Sequence, residues 1–234
     1  MTTKTNATIS TRNIIRMSAS LALGALVLIA AFPVDSYAQS GMIFGNLQMA
    51  RTIGDGATRM GGAFVAGDEA TTFYATGTHG LGMFTEGTLR LGLSEADYPG
   101  SDPEISIGAE LKYQFWNFEG QNSRGQNIDD PIDLAFTGFF EHVSHSLFKV
   151  TSFGGGVIAS KPFKMNDGKK YGPYARAAIR LTTLDPKNVQ SDTDFKFSLT
   201  PGGMVQLTRT MNVHAEFNFD DNTSFALGID FLVD

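Results

Sequence analysis

Apolar and polar residues alternate one for one along most of the chain beyond residue 86. At the C-terminus, Phe225, Leu227, Ile229, Phe231 and Val233 alternate with Ser224, Ala226, Gly228, Asp230, Leu232 and Asp234. Successive side chains of a strand point to opposite faces, so one face here is wholly apolar and the other small or polar, Leu232 excepted. The same period-2 pattern recurs over 87–94, 105–115, 132–141, 173–182, 194–208 and 211–219. Over 147–159 it is blurred by Gly154-Gly155-Gly156, and Pro201-Gly202-Gly203 predicts a bulge or bend within 194–208. Counting 147–159, the pattern gives eight strands from residue 87 onward.

The polar faces carry Arg90, Glu110, Lys112, Asp133, Glu141, Arg176, Arg180, Lys196, His214, Glu216 and Asp230. On a soluble sandwich these would be surface residues. In a barrel they line the lumen, where opposite signs can pair. Strands of about ten residues suit a tilted bilayer crossing. A closed sheet also removes the unpaired edges that lipid would penalise. The fold expected is therefore an all-β, antiparallel transmembrane barrel over 87–234. It has eight strands, or ten if Ile43–Met49 and Ala70–Phe84 add two. Residues 39–86 are Gly- and Thr-rich and supply either those extra strands or a lumen segment.

The N-terminus sets the compartment. Lys4, Arg12 and Arg16 precede an apolar run, Leu21–Ala31, and Ser36-Tyr37-Ala38 offers small residues for cleavage after Ala38. This reads as a secretory signal peptide over 1–38; the run is too short for a spanning helix. Its removal takes three basic and one acidic residue, changing the net charge from −6 to −8. An acidic exported chain argues against a nucleic-acid partner. The chain has no cysteine, so a closed hydrogen-bonded sheet or a core must replace disulfides.

Two resemblances follow. Gly228, Phe231 and Val233 resemble the C-terminal signal read by the barrel-assembly machinery, although Asp234 ends the chain where an aromatic is usual. With the export signal and the alternating strands, the chain looks like a small outer-membrane β-barrel protein. That implies a location in the outer membrane of a diderm bacterium, with outer-membrane lipid and lipopolysaccharide as surroundings. Gly56–Tyr74, containing Arg59-Met-Gly-Gly-Ala-Phe-Val-Ala-Gly67, resembles a segment of the long-chain fatty-acid transporter family. In that family the segment precedes the first strands and contributes to an internal plug. Here Ala75-Thr76-Gly77 stands where Asn-Pro-Ala usually follows. An eight-stranded barrel is filled by its own side chains and leaves no room for a plug.

Placing both termini on the periplasmic side makes Thr208–Thr210 a periplasmic turn, with 95–104, 183–193 and 220–223 extracellular. The connections 116–131 and 160–172 then become long periplasmic ones. Tyr113, Trp116 and Phe118 read as an interfacial aromatic girdle. The lysines of 161–170 form a solvated loop or meet anionic lipid.

Candidate chemistry is sparse. His142 and His145 fall on opposite faces of a strand, so a shared metal is not expected. His142 and Ser144 share a face and resemble the His-x-Ser-Asn motif of lipid A 3-O-deacylases, but His145 replaces the Asn and no acid follows before Asp167. The expectation is a polar strand end. Arg176 and Arg180 are expected to pair with lumen carboxylates such as Glu110 or Glu216, since an unpaired buried charge is costly. The expected site is thus a lumen charge network of Arg90, Glu110, Lys112, Asp133, Arg176, Arg180, Lys196, His214, Glu216 and Asp230, without cofactor or metal. The function expected is a structural or surface role with a narrow, charge-lined lumen. Alternatives are passive passage of small or hydrophobic solutes and, least favoured, lipid A modification.

Overall fold

The computed structural model describes residues 44–68, 70–97, 101–116, 132–146, 148–187, 190–220 and 222–233. The expected signal peptide and Phe118 lie outside them. The strands are β1 (Thr58–Gly67), β2 (Ala70–Gly82), β3 (Thr85–Ala96), β4 (Glu104–Trp116), β5 (Asp133–Ser144), β6 (Phe148–Ser160), β7 (Phe163–Lys164), β8 (Lys170–Pro186), β9 (Asp192–Gln206), β10 (Met211–Asn218) and β11 (Ser224–Val233). Each long strand pairs antiparallel with its sequence neighbour, β6 pairs β8, and β1 pairs β11. The sheet therefore closes into ten strands, with the two-residue β7 outside the ring on β8.

The count of eight is corrected to ten. The two added strands are β1 and β2. Residues 44–49, expected as one of them, are not in the sheet; they run inside the barrel. The 56–74 segment that resembles a plug-forming stretch forms β1 and the start of β2 in the wall. Its Gly61, Gly62, Ala63 and Ala66 hid the alternation, because small residues carry little contrast between faces.

Register sorts the faces. Phe225, Leu227, Ile229 and Phe231 pair outward with Ala66, Phe64, Gly62 and Met60. Ser224, Ala226, Gly228 and Asp230 point into the lumen with Gly67, Val65, Ala63 and Gly61. The normal arrangement of a soluble protein is inverted: Leu89 is 70% exposed and Arg176 1%. An outward wall of Leu, Ile and Phe costs little in lipid and much in water. Outward residues from Phe225 to Val233 cover roughly 26 Å of strand at about 3.3 Å per residue, comparable with the apolar band of a membrane barrel after tilt.

At Pro201-Gly202-Gly203, where a bulge or bend is expected, β8 and β9 keep one register from Tyr171↔Val205 to Leu184↔Asp192, so no bulge lies on that side. Pro201 instead interrupts the ladder on the β10 side, which resumes at Leu199↔Phe219. Proline has no N–H to donate there.

One rim carries the end of β11, the turn 207–210 and the β7 hairpin; this is the C-terminal rim. The opposite rim carries the connections after β1, β3, β5, β8 and β10. Outward apolar side chains give way near that opposite rim to His142, Thr151, Thr183 and Thr193, with His142 Nδ1 2.9 Å from Thr151 Oγ1 and the two outer threonine hydroxyls 3.0 Å apart. At the C-terminal rim the outward side chains are Tyr113, Trp116 and Tyr171, which suit an interface.

Candidate functional site: the filled lumen

Residues 44–53 pass down the lumen from the opposite rim toward the C-terminal rim. Their apolar head, Phe44, is fully buried with Val65, Tyr74, Val143, Val150 and Ala226, and meets the Tyr74 ring edge-on at 5.0 Å. Lower down, Met49 and Ala50 pack with Ala135, Ile158 and Tyr174. The chain then turns through Gly54 and Gly56, both at positive φ, into β1. Wall glycines make the space. A Cβ on Gly228 would lie 2.6 Å from Leu47 Cδ1, and one on Gly108 would lie 2.8 Å from Phe44 Cε2.

An extended segment away from the sheet must satisfy its backbone through side chains. Glu216 on β10 accepts the N–H groups of both Asn46 and Leu47, the latter at 2.8 Å. Leu47 sits at φ 43°, a left-handed conformation unusual for leucine. There the two successive N–H groups converge on one carboxylate, as in backbone anion nests. The Tyr174 hydroxyl donates to the same carboxylate at 2.9 Å, and that of Tyr74 donates to the Gly45 carbonyl at 3.1 Å. Further down, the N–H groups of Ala50, Thr52 and Ile53 donate to Ser160 Oγ, Gln114 Oε1 and Glu86 Oε2 at 3.0, 3.1 and 2.8 Å. Lys112 Nζ donates to the Met49 and Arg51 carbonyls at 2.7 and 3.3 Å while pairing with Glu86 at 2.6 Å.

All ten residues of the expected charge network are buried. Among the described residues their contacts run as follows. Arg90 pairs with Glu110 at 2.6 Å. Asp133 meets Arg51 of the lumen segment at 3.3 Å. Asp230 gathers His214 at 2.7 Å, Asn212 at 2.7 Å and Arg59 at 3.3 Å. The two β8 arginines, expected beside lumen carboxylates such as Glu110 or Glu216, take different surroundings. Arg180 pairs with Asp220 at 2.7 Å. Arg176 donates to Asn46 Oδ1 at 3.3 Å and lies 4.4 Å over the Phe139 ring, a cation–π contact. Glu110 is taken by Arg90 and Glu216 by the lumen segment. Lys196 is buried opposite Arg180 in the β8–β9 register.

Sequence reasoning missed Glu86, Asp220 and Tyr74; for 39–86 it offered a lumen segment as one of two alternatives, without singling out 44–53. Glu86 and Asp220 fall at strand ends, where alternation is weakest. Tyr174 falls on the polar face of the 173–182 pattern, whereas Tyr74 lies in the Gly- and Thr-rich stretch whose faces the pattern does not separate. Gly228 of the proposed assembly signal faces the lumen, while Phe231 and Val233 face outward. His142 and Ser144 share the outward face, in register with Thr151 and Lys149. The 2.9 Å contact of His142 is to Thr151 on the neighbouring strand. Among the described residues no group of His, Asp and Glu side chains is arranged to hold a metal.

No family model matches the chain, and no curated protein does. Solved structures do match. Ail, the attachment invasion locus protein of Yersinia pestis, is 10% identical over 76% of this chain and 99% of its own, at TM-score 0.35. The N-terminal β-barrel domain of Pseudomonas aeruginosa OprF is 10% identical over 77% and 99%, at TM-score 0.34. The translocator domain of the autotransporter NalP from Neisseria meningitidis is 9% identical over 94% and 97%, at TM-score 0.36. The likeness to fatty-acid transporters over 56–74 has no counterpart among the matches. At these identities and TM-scores the matches add nothing to the barrel, which rests on the closed register of the chain's own strands.

Proposed function

We propose that this outer-membrane barrel is a closed structural or surface element of the cell envelope, sealed from within by its own residues 44–53. The observation that carries the reading is the match between the backbone of that segment and wall side chains, above all the two N–H groups held by Glu216. A cavity of about 30 Å³ lies between the segment and β1, β2, β3, β10 and β11, bordered by Arg59, Thr78, Arg90, His214 and Asp230. That volume suits a water molecule and excludes a nutrient solute. An apolar groove of about 730 Å³ on the outer face, lined by Met60, Gly77, Leu89, Leu91, Ala109 and Phe140, faces lipid. The β2–β3 ladder runs unbroken behind it from Ala70↔Ala96 to Gly80↔Glu86, which argues against lateral passage of a hydrophobic solute.

Planar-bilayer conductance tests the reading. The full chain should give no steady channel. A variant lacking residues 44–53, shown to be folded by its heat-modifiable gel mobility, should conduct. Steady channels from the intact protein would refute a sealed lumen.

A further inference from the structure

The β7–β8 hairpin extends the wall beyond β6 at the C-terminal rim. Phe163 pairs with Tyr171, and Tyr171 pairs with outward Val205, so both aromatics lie on the lipid-facing side. Their rings stack with centroids 5.2 Å apart, 23° between planes. Lys161, Lys164, Lys169 and Lys170 crowd this short ribbon, against one carboxylate, Asp167. Lys161 Nζ stands 5.3 Å from the centre of the Phe163 ring, and Lys169 Nζ is 3.1 Å from Asp167. The ribbon is thus locally cationic in a chain of net charge −6. The opposite rim has the reverse character, with Glu95, Asp97, Asp102, Glu104, Asp185 and Asp192 on or beside its connections.

We propose that this ribbon is a docking surface for the phosphodiester headgroups of anionic phospholipid in the leaflet at the C-terminal rim. The proposal rests on the reading of the chain as a membrane barrel. Aromatic side chains at the lipid boundary fix the ribbon's depth, and lysine stems lying along them carry ammonium groups to headgroup level. Among the described residues the side chains of Lys161, Lys169 and Lys170 make no hydrogen bond to the lumen segment, so the surface is separable from the seal.

The test compares the wild-type chain, Lys161→Gln/Lys169→Gln/Lys170→Gln, and the corresponding triple Arg variant. Each is folded into phosphatidylcholine vesicles containing a minor fraction of phosphatidylglycerol. Lipids retained after mild detergent extraction are counted by native mass spectrometry. A lysine at an anionic surface contributes about fivefold in lipid preference. The wild-type and Arg variants should retain phosphatidylglycerol above its bulk ratio, and the Gln variant should lose at least roughly tenfold of that enrichment. Retention at the bulk ratio by the wild type, or undiminished enrichment by the Gln variant, overturns the proposal. Preferential retention of added lipopolysaccharide over phosphatidylglycerol also overturns it, by assigning the site to phosphate monoesters. If no variant becomes heat-modifiable in pure phosphatidylcholine, the membrane reading itself fails and the proposal falls with it.

Discussion

Glu216→Ala should free the lumen segment while leaving the barrel closed. The substitution strands three donors, the N–H groups of Asn46 and Leu47 and the Tyr174 hydroxyl, in a space with little water. Hydrogen bonds to a charged acceptor contribute about 1.5–3 kcal/mol each. Neighbouring losses are not additive, so the combined effect on opening of the segment is roughly 3–6 kcal/mol. At about 1.4 kcal/mol per decade, this raises the open population by roughly 10²–10⁴-fold. Hydrogen exchange of peptides covering 44–53, in detergent and with mass-spectrometric readout, reports that population directly. Tyr174→Phe removes one donor and should raise exchange only about tenfold. The reasoning fails if Glu216→Ala leaves exchange over 44–53 within about threefold of wild type while the gel shift shows a folded barrel.

Breaking the Arg90–Glu110 pair with Arg90→Met should cost about 3–5 kcal/mol because Glu110 remains buried and charged, and Arg90→Met/Glu110→Leu should recover most of it; the folded fraction in urea, read by gel shift, checks both. His145 is buried beyond the end of β5 against Phe148, and desolvation pushes its imidazole below the ordinary 6.5, partly opposed by Glu104. The unfolded chain then binds the extra proton first, so stability should fall as pH drops from 6.5 toward the depressed value, and His145→Gln should flatten that limb of the urea midpoint against pH. Trp116, the chain's one tryptophan, lies outward at the C-terminal rim, so its fluorescence should be quenched more by headgroup-level labels than by mid-chain ones; stronger mid-chain quenching would contradict the rim assignment.

The barrel wall was legible because lipid and lumen impose opposite demands on neighbouring residues. Phe195, Phe197 and Leu199 against Lys196, Ser198 and Thr200 leave one assignment of faces. β1 and β2 were harder to read because the wall there thins to glycine and alanine, and Gly62↔Ala75 has no contrast to display. The lumen segment carries no periodic signal at all. Phe44, Leu47 and Met49 could equally describe a strand, and only the closed ring with Glu216, Glu86 and Lys112 pointing inward gives them partners. The charged residues were legible as a set but not as pairs. Partner choice depends on register and axial level, so Arg180 meets Asp220, a strand-end residue that alternation does not assign to a face.

The central claim is that the chain fills its own lumen. The absence of native cysteine makes a cross-link decisive, with Gly45→Cys in the segment and Ala226→Cys on β11. A Cβ at Gly45 falls 2.7 Å from that of Ala226, 2.9 Å from Glu216 Oε1 and 3.2 Å from the Tyr74 hydroxyl, so the segment must draw back by about 1 Å, which reaches ordinary disulfide spacing; Gly45→Ala, checked by exchange over 44–53, controls for the added methyl. The account predicts near-complete, reductant-sensitive cross-linking in isolated membranes, seen as a mobility shift of the denatured chain. Absence of that cross-link, in a barrel whose unboiled form still migrates as folded, would place residues 44–53 outside the lumen and contradict the account.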